Sequence, residues 1–92
     1  MIRIQRLRRA NWTMPANCVY VGRPTIWGNP YHVGKDFTQN QAVEQFKKYA
    51  EWMLSEYPHW IDDLKGKDLA CWCSLNQPCH ADILIEILKA KP

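Results

Sequence analysis

The first 35 residues of the chain contain no aspartate or glutamate. Arg3, Arg6, Arg8, Arg9, Arg23 and Lys35 stand there uncompensated, and all nine acids lie from Asp36 onward. The net charge of +3 therefore hides a one-sided distribution. A positive field of this kind favours an anionic partner: a nucleotide, a nucleic acid or an acidic protein surface. A solvated basic strand edge that resists sheet-to-sheet pairing would give the same pattern. Other absences narrow the class. No apolar run reaches membrane-spanning length, and MIRIQRLRRANW is too basic and too broken for a signal peptide. There is no low-complexity tract and no internal repeat, which excludes disordered and solenoid classes. The expectation is an intracellular, cytoplasmic protein without a membrane partner. In a reducing compartment four cysteines argue for thiols, metal or burial rather than disulfides.

Ninety-two residues predict one domain over 1–92, with a single modest core that a staple or partner would help. Ile2 to Leu7 alternates apolar and polar residues, the period of a half-buried strand. Cys18 to Val21 reads as a second short strand stopped by Gly22. Thr38 is placed to cap a helix whose apolar stripe runs through Ala42, Val43, Phe46, Tyr49, Ala50 and Met53. Pro58 ends it, and Trp60 to Leu64 suggest a shorter helix closed by Gly66. Leu69 to Cys73 carries no charge, which predicts a central strand covered on both faces. Pro78 then opens a last helix with Ile83, Leu84, Ile87 and Leu88 on its apolar face and Lys89 and Lys91 at its end. The long helical connection between the second and third strands is what parallel pairing requires. The fold class expected is α/β: a short, mainly parallel sheet with helices packed against it.

Two unusual loops follow those two strands. If the strands are parallel, both loops emerge at the carboxyl edge, where open α/β sheets place ligands. In the first loop Gly22 and Gly28 allow close backbone approach, and Arg23, Trp27 and Asn29 offer a charge, a plane and an amide. That set suits a nucleotide-like ligand, with Arg23 on phosphate, Trp27 stacking and Asn29 on base or sugar. A rigid turn with Trp27 plugging the core is the plain alternative.

The second loop, ACWCSLNQPCHAD, is chemically richer. Cys71 and Cys73 are two apart on an expected strand, so both face one side and Trp72 the other. Cys79 and His80 fall in the first helical turn, where the dipole lowers a thiol pKa and favours a neutral imidazole. Asp82 is positioned to orient His80 or to bind a hydroxyl. Three readings stay open. Cys71, Cys73, Cys79 and His80 form a normal tetrahedral zinc set, although adjacent ligands at a helix start diverge by about 100° and demand an irregular turn. Alternatively Cys79 is a nucleophile with His80 or Asp82 as its catalytic partner. The third reading has the thiols as small core residues. His32 and His59 read as surface residues, Cys18 as core, and Trp12, Trp52 and Trp60 as packing, with Trp52 off the main stripe.

VYVGRPTIWGNPY followed by LKGKDLACWCSLNQPCHADILIEIL resembles the domain-of-unknown-function 4326 family, common in bacteriophages and prophages. The resemblance covers nearly the whole chain and rests on Tyr20, Gly22, Arg23, Pro24, Trp27, Gly28, Asn29 and Pro30. It continues through Gly66, Lys67, Cys71, Trp72, Cys73, Pro78, Cys79, His80 and Asp82. Ala81 replaces a frequent glycine, and Leu75 a frequent proline. The resemblance implies a phage-type accessory protein, acting in the host cytoplasm if phage-encoded, and brings no activity with it. Two functions follow as expectations. One is a nucleotide-binding protein, sequestering its ligand or acting on it as a small enzyme. The other is a zinc-stapled module that binds and inhibits a host protein. Nucleic-acid binding through the arginines is a third.

Overall fold

The computed structural model describes residues 1–34 and 36–90, so Lys35 and Lys91 lie outside the described residues. Three short strands, β1 (Arg3–Gln5), β2 (Cys18–Tyr20) and β3 (Asp68–Cys71), form a sheet in the order β1-β3-β2. Both pairings are parallel, with Ile4 opposite Ala70 and Val19 opposite Leu69. The uncharged run predicted to be central is central. Leu69, Ala70 and Cys71 are at most 5% exposed, so β3 is covered on both faces. The chain is thus a small α/β fold, as its alternation of strand and helix patterns requires.

Helix α1 (Gln39–Glu56) is the long crossover between β2 and β3. Its start is a capping box: Thr38 Oγ1 accepts from Gln41 N at 3.2 Å, and Gln41 Oε1 accepts from Thr38 N at 2.9 Å. Ala42, Phe46 and Ala50 form its buried stripe. Helix α2 (His80–Ala90) buries Ala81, Leu84, Ile85 and Leu88. Phe46, Ile61, Leu64, Leu69, Leu84, Val21 and Cys79 are the largest fully buried side chains. Burying each of the larger aliphatic and aromatic ones contributes about 1.5–3 kcal/mol, a small total against the chain entropy of folding.

The structure shortens several predicted elements. β1 stops at Gln5 rather than Leu7 because its partner β3 stops at Cys71; Arg6 N makes the last contact, to Cys71 O at 2.8 Å. The shorter helix expected from Trp60 to Leu64 is one 3₁₀ turn, Asp62–Leu64. Gly66, at φ +74°, makes the left-handed turn into β3. Trp60 is buried as expected, but Trp52 is 54% exposed and packs no core. Among the described residues no helix is long and apolar enough to cross a membrane.

Candidate functional site

The parallel pairing of β2 with β3 brings the two loops together at the carboxyl edge of the sheet. Between them lies a cleft of about 340 Å³. Tyr20, Gly22, Arg23, Asn29 and Tyr31 form one wall, and Gln39, Ala42 and Val43 of α1 another. Val33, Cys71, Trp72, Cys73 and His80 complete the lining.

The first loop is held by its own polar groups. Tyr20 folds back so that its hydroxyl donates to Arg23 O at 2.9 Å. That ring occupies the space a Cβ on residue 22 would need, which is why Gly22 is glycine. The Arg23 side chain is exposed at the cleft wall and donates to Asn29 O at 3.0 Å. It packs so closely over Gly28 that a Cβ there would lie 3.0 Å from Arg23 Cγ. Asn29 pins the loop to α1, donating to Ala42 O at 3.1 Å and accepting from Tyr31 N at 2.8 Å. Its amide lines the cleft while serving the loop.

Trp27 is not among the cleft-lining residues. Its Nε1 donates to Trp60 O at 2.8 Å, Trp60 Nε1 returns a bond to Ile26 O at 3.0 Å, and the indole packs against the core. The expected stacking plane is therefore a core plug. The cleft's aromatic surfaces come instead from Tyr20, Tyr31 and Trp72.

In the second loop the strand ends at Cys71, earlier than predicted, and a bend carries Trp72 and Cys73. The alternation persists through the bend: Cys71 and Cys73 share a side, with their sulfurs 3.7 Å apart, while Trp72 turns outward at 39% exposure. Cys79 precedes α2 instead of lying within its first turn, so the expected divergence from His80 does not arise. Its Sγ is 3.6 Å from His80 Nδ1, and the sulfurs of Cys71, Cys73 and Cys79 all lie within 4.8 Å of one another.

His80 spans the two loops. Its Nε2 is 2.8 Å from Val21 O, and a carbonyl can only accept, so Nε2 carries the proton. Burial lowers the His80 pKa, keeping the ring neutral. Nδ1 then presents a lone pair on the Cys79 side.

Asp82 does not orient His80. Its Oδ2 accepts from Cys79 N at 3.1 Å, capping α2, and its Oδ1 lies 3.5 Å from Arg3 Nε. Arg3 is the residue that sequence reasoning missed. From β1 its Nη2 donates to Ser74 O (3.2 Å), Leu75 O (2.9 Å) and Gln77 O (2.8 Å), so one buried guanidinium gathers the whole second loop. The alternation of Ile2 to Leu7 placed Arg3 on a polar face, and nothing local revealed that this face is inside the molecule.

Thiol chemistry also departs from expectation. Cys79 is fully buried, and hydrogen bonding with Cys71 and then Cys73, reinforced by burial, pushes its pKa up rather than down. Cys73 shifts the other way: hydrogen bonds from Cys71 first and Cys79 next lower its pKa below the ordinary thiol range. Gln39 Nε2 adds a donor at 3.7 Å. Cys73 is also half-buried at the cleft, whereas Cys79 is fully buried, so Cys73 is the more accessible of the two thiols.

The sulfurs of Cys71, Cys73 and Cys79 are close enough together to hold a metal ion, whereas His80 Nδ1 is near Cys79 but outside that close group. Ligands about 2.3 Å from zinc are separated by ~3.8 Å between sulfurs, and by ~3.6 Å between a sulfur and a nitrogen. The two measured separations match both edges. The three clustered sulfurs are Cys71, Cys73 and Cys79, with His80 Nδ1 beside one of them. The proton on Nε2 held by Val21 O is the outer-shell arrangement that orients ligating histidines.

The chain is 28% identical over 102 residues to an uncharacterized protein of Acanthamoeba polyphaga mimivirus, covering 91% of this chain and 77% of the relative. No solved structure matches. The model of the family described as domain of unknown function DUF4326 matches residues 4–90, nearly the full length and both loops, and the chain belongs to that family.

Proposed function

We propose that the cleft binds an anionic, nucleotide-like ligand, and that the chain is a virus- or phage-type accessory protein that sequesters this ligand or acts on it as a small enzyme. One observation supports this most: Arg23 stands exposed at a cleft of about 340 Å³ walled by Tyr20, Tyr31 and Trp72. An exposed guanidinium with no carboxylate partner, beside aromatic planes at the carboxyl edge of a parallel sheet, suits a phosphate and a base together. Among the described residues no carboxylate lies within ion-pair distance of Arg23, so its charge remains for a ligand.

Titration calorimetry with a panel of nucleoside mono- and diphosphates tests the proposal. Arg23→Ala should weaken binding roughly ten- to a hundredfold, the worth of a charge-assisted hydrogen bond. Unchanged affinity in that variant would sink it.

A second reading rests on the matching S–S and S–N separations. Zinc held by Cys71, Cys73, Cys79 and His80 would staple the second loop to the sheet, in a module that docks on and inhibits a host protein. The staple and the nucleotide site are compatible, since the cluster forms the floor of the cleft and Arg23 its wall.

A further inference from the structure

Beside the cleft two arginines of the acid-free segment are stacked on aromatic rings. The Arg6 guanidinium lies 4.7 Å from the Tyr20 ring centroid and 4.8 Å from that of Trp72. Arg8 lies 4.7 Å from the same Trp72 ring. Tyr20, Arg6, Trp72 and Arg8 thus form a continuous column, and Tyr20 and Trp72 also line the cleft. Arg8 and Arg9 are exposed, and Trp72 is 39% exposed. Among the described residues none of Arg6, Arg8 and Arg9 pairs with a carboxylate. Two cations held in register by rings, with the exposed Arg9 beside them and no acid to neutralise them, form a surface for a polyanion.

We propose that this column binds single-stranded nucleic acid, with an unpaired base stacking on the outer guanidinium face of Arg8 and phosphates on the N–H edges of Arg6, Arg8 and Arg9. A guanidinium whose face lies on a ring keeps its edges for phosphate oxygens. Stacking surfaces of this kind serve bases that have left their own helix, which selects single strands over duplex. Neither helix offers a basic face for a major groove. In α1, Lys47 and Lys48 are interspersed with Glu44 and Glu51; α2 carries Asp82 and Glu86 against Lys89. That the strand's end enters the neighbouring cleft rests on the nucleotide reading above; the column's binding does not.

Fluorescence anisotropy with a labelled oligothymidylate of about twelve nucleotides tests this across a salt series. Three neutralised phosphates give a slope of log affinity against log salt near −2. Replacing Arg8 and Arg9 together with alanine should cost about tenfold or more and bring the slope toward −1, while mononucleotide affinity stays unchanged. Trp72→Ala should lose about tenfold, because Arg6 and Arg8 lose the ring that holds them in register, and Trp72→Phe should restore most of it by keeping a ring between them. Circular dichroism melts confirm that each variant folds. An oligonucleotide bound no more tightly than a mononucleotide, a duplex bound equally well, or an unchanged affinity in Trp72→Ala would overturn the proposal. If mononucleotides fail to bind but oligonucleotide affinity still follows Arg8, Arg9 and Trp72, the cleft reading falls and the column stands.

Discussion

His80 Nε2 donates to the carbonyl oxygen of Val21 across 2.8 Å, joining the start of α2 to the end of β2. This one bond settles the tautomer of a buried imidazole and aims its other nitrogen toward the sulfur cluster. It also makes the two loops a single unit: whatever moves Cys79 and His80 moves the backbone that leads into Arg23.

Metal content is the first consequence. Protein purified without chelator should carry one zinc per chain by native mass spectrometry with elemental analysis. Cys79→Ser should abolish retention after dialysis. His80→Gln, which cannot reproduce the Nδ1 lone pair beside the Val21 bond, should weaken retention by at least tenfold, comparable to losses on disturbing ligand-orienting contacts. Chelation should lower the melting temperature, because binding free energy at a site assembled only in the folded chain is folding free energy. A metal-free protein whose melting temperature ignores both zinc and chelator would count against the staple.

Arg3 carries the second prediction. Its guanidinium is 8% exposed and collects three carbonyls of the 74–77 segment beside Asp82. Arg3→Met should cost about 2–4 kcal/mol, since several charge-assisted bonds vanish and the carbonyls are left without their donor. Arg3→Lys keeps the charge but not the fork, so it should recover less than half of that loss. Urea unfolding measures both. Equal stability of the lysine variant and the parent would show that charge alone suffices.

Much of this architecture was readable in advance. The uncharged Leu69–Cys73 run implied a central strand, the long connection implied parallel pairing, and parallel pairing implied that the two loops converge. All three rest on periodicity and chain geometry, which are local or topological. Trp27 and Arg3 escaped because their roles depend on distant partners. Trp27 meets the Trp60 carbonyl 33 residues away, and Arg3 meets a loop more than 70 residues away. A tryptophan in a glycine-rich loop looks the same whether it stacks on a ligand or plugs a core. The direction of the Cys79 shift was hidden for a related reason. Helix position argued for a lowered pKa, but Cys79 lies just before the helix, buried against two other thiols that push it up.

That reversal yields the last prediction. In reduced protein stripped of metal, iodoacetamide should modify Cys73 first, because its pKa is lowered and it is the least buried member of the trio. The sign follows from the direction of the shift. A thiol whose folded-state pKa lies well below neutral, as the shift at Cys73 places it, is already ionised at pH 6, so Cys73 alkylation should hardly change between pH 6 and pH 8. Cys18 behaves oppositely: burial first, and then the Asp68 carboxylate, raise its pKa, so its rate should climb steeply with pH. Cys79, fully enclosed with a raised pKa, should stay unmodified until the chain unfolds. Peptide mapping after timed alkylation separates the three. In urea all four thiols should react at similar rates, which ties the differences to the fold. Zinc added before the reagent should protect Cys73 and leave Cys18 unaffected, since Cys73 belongs to the cluster and Cys18 does not. Fastest modification at Cys79, or Cys73 labelling that rises with pH like an ordinary thiol, would refute the assignment.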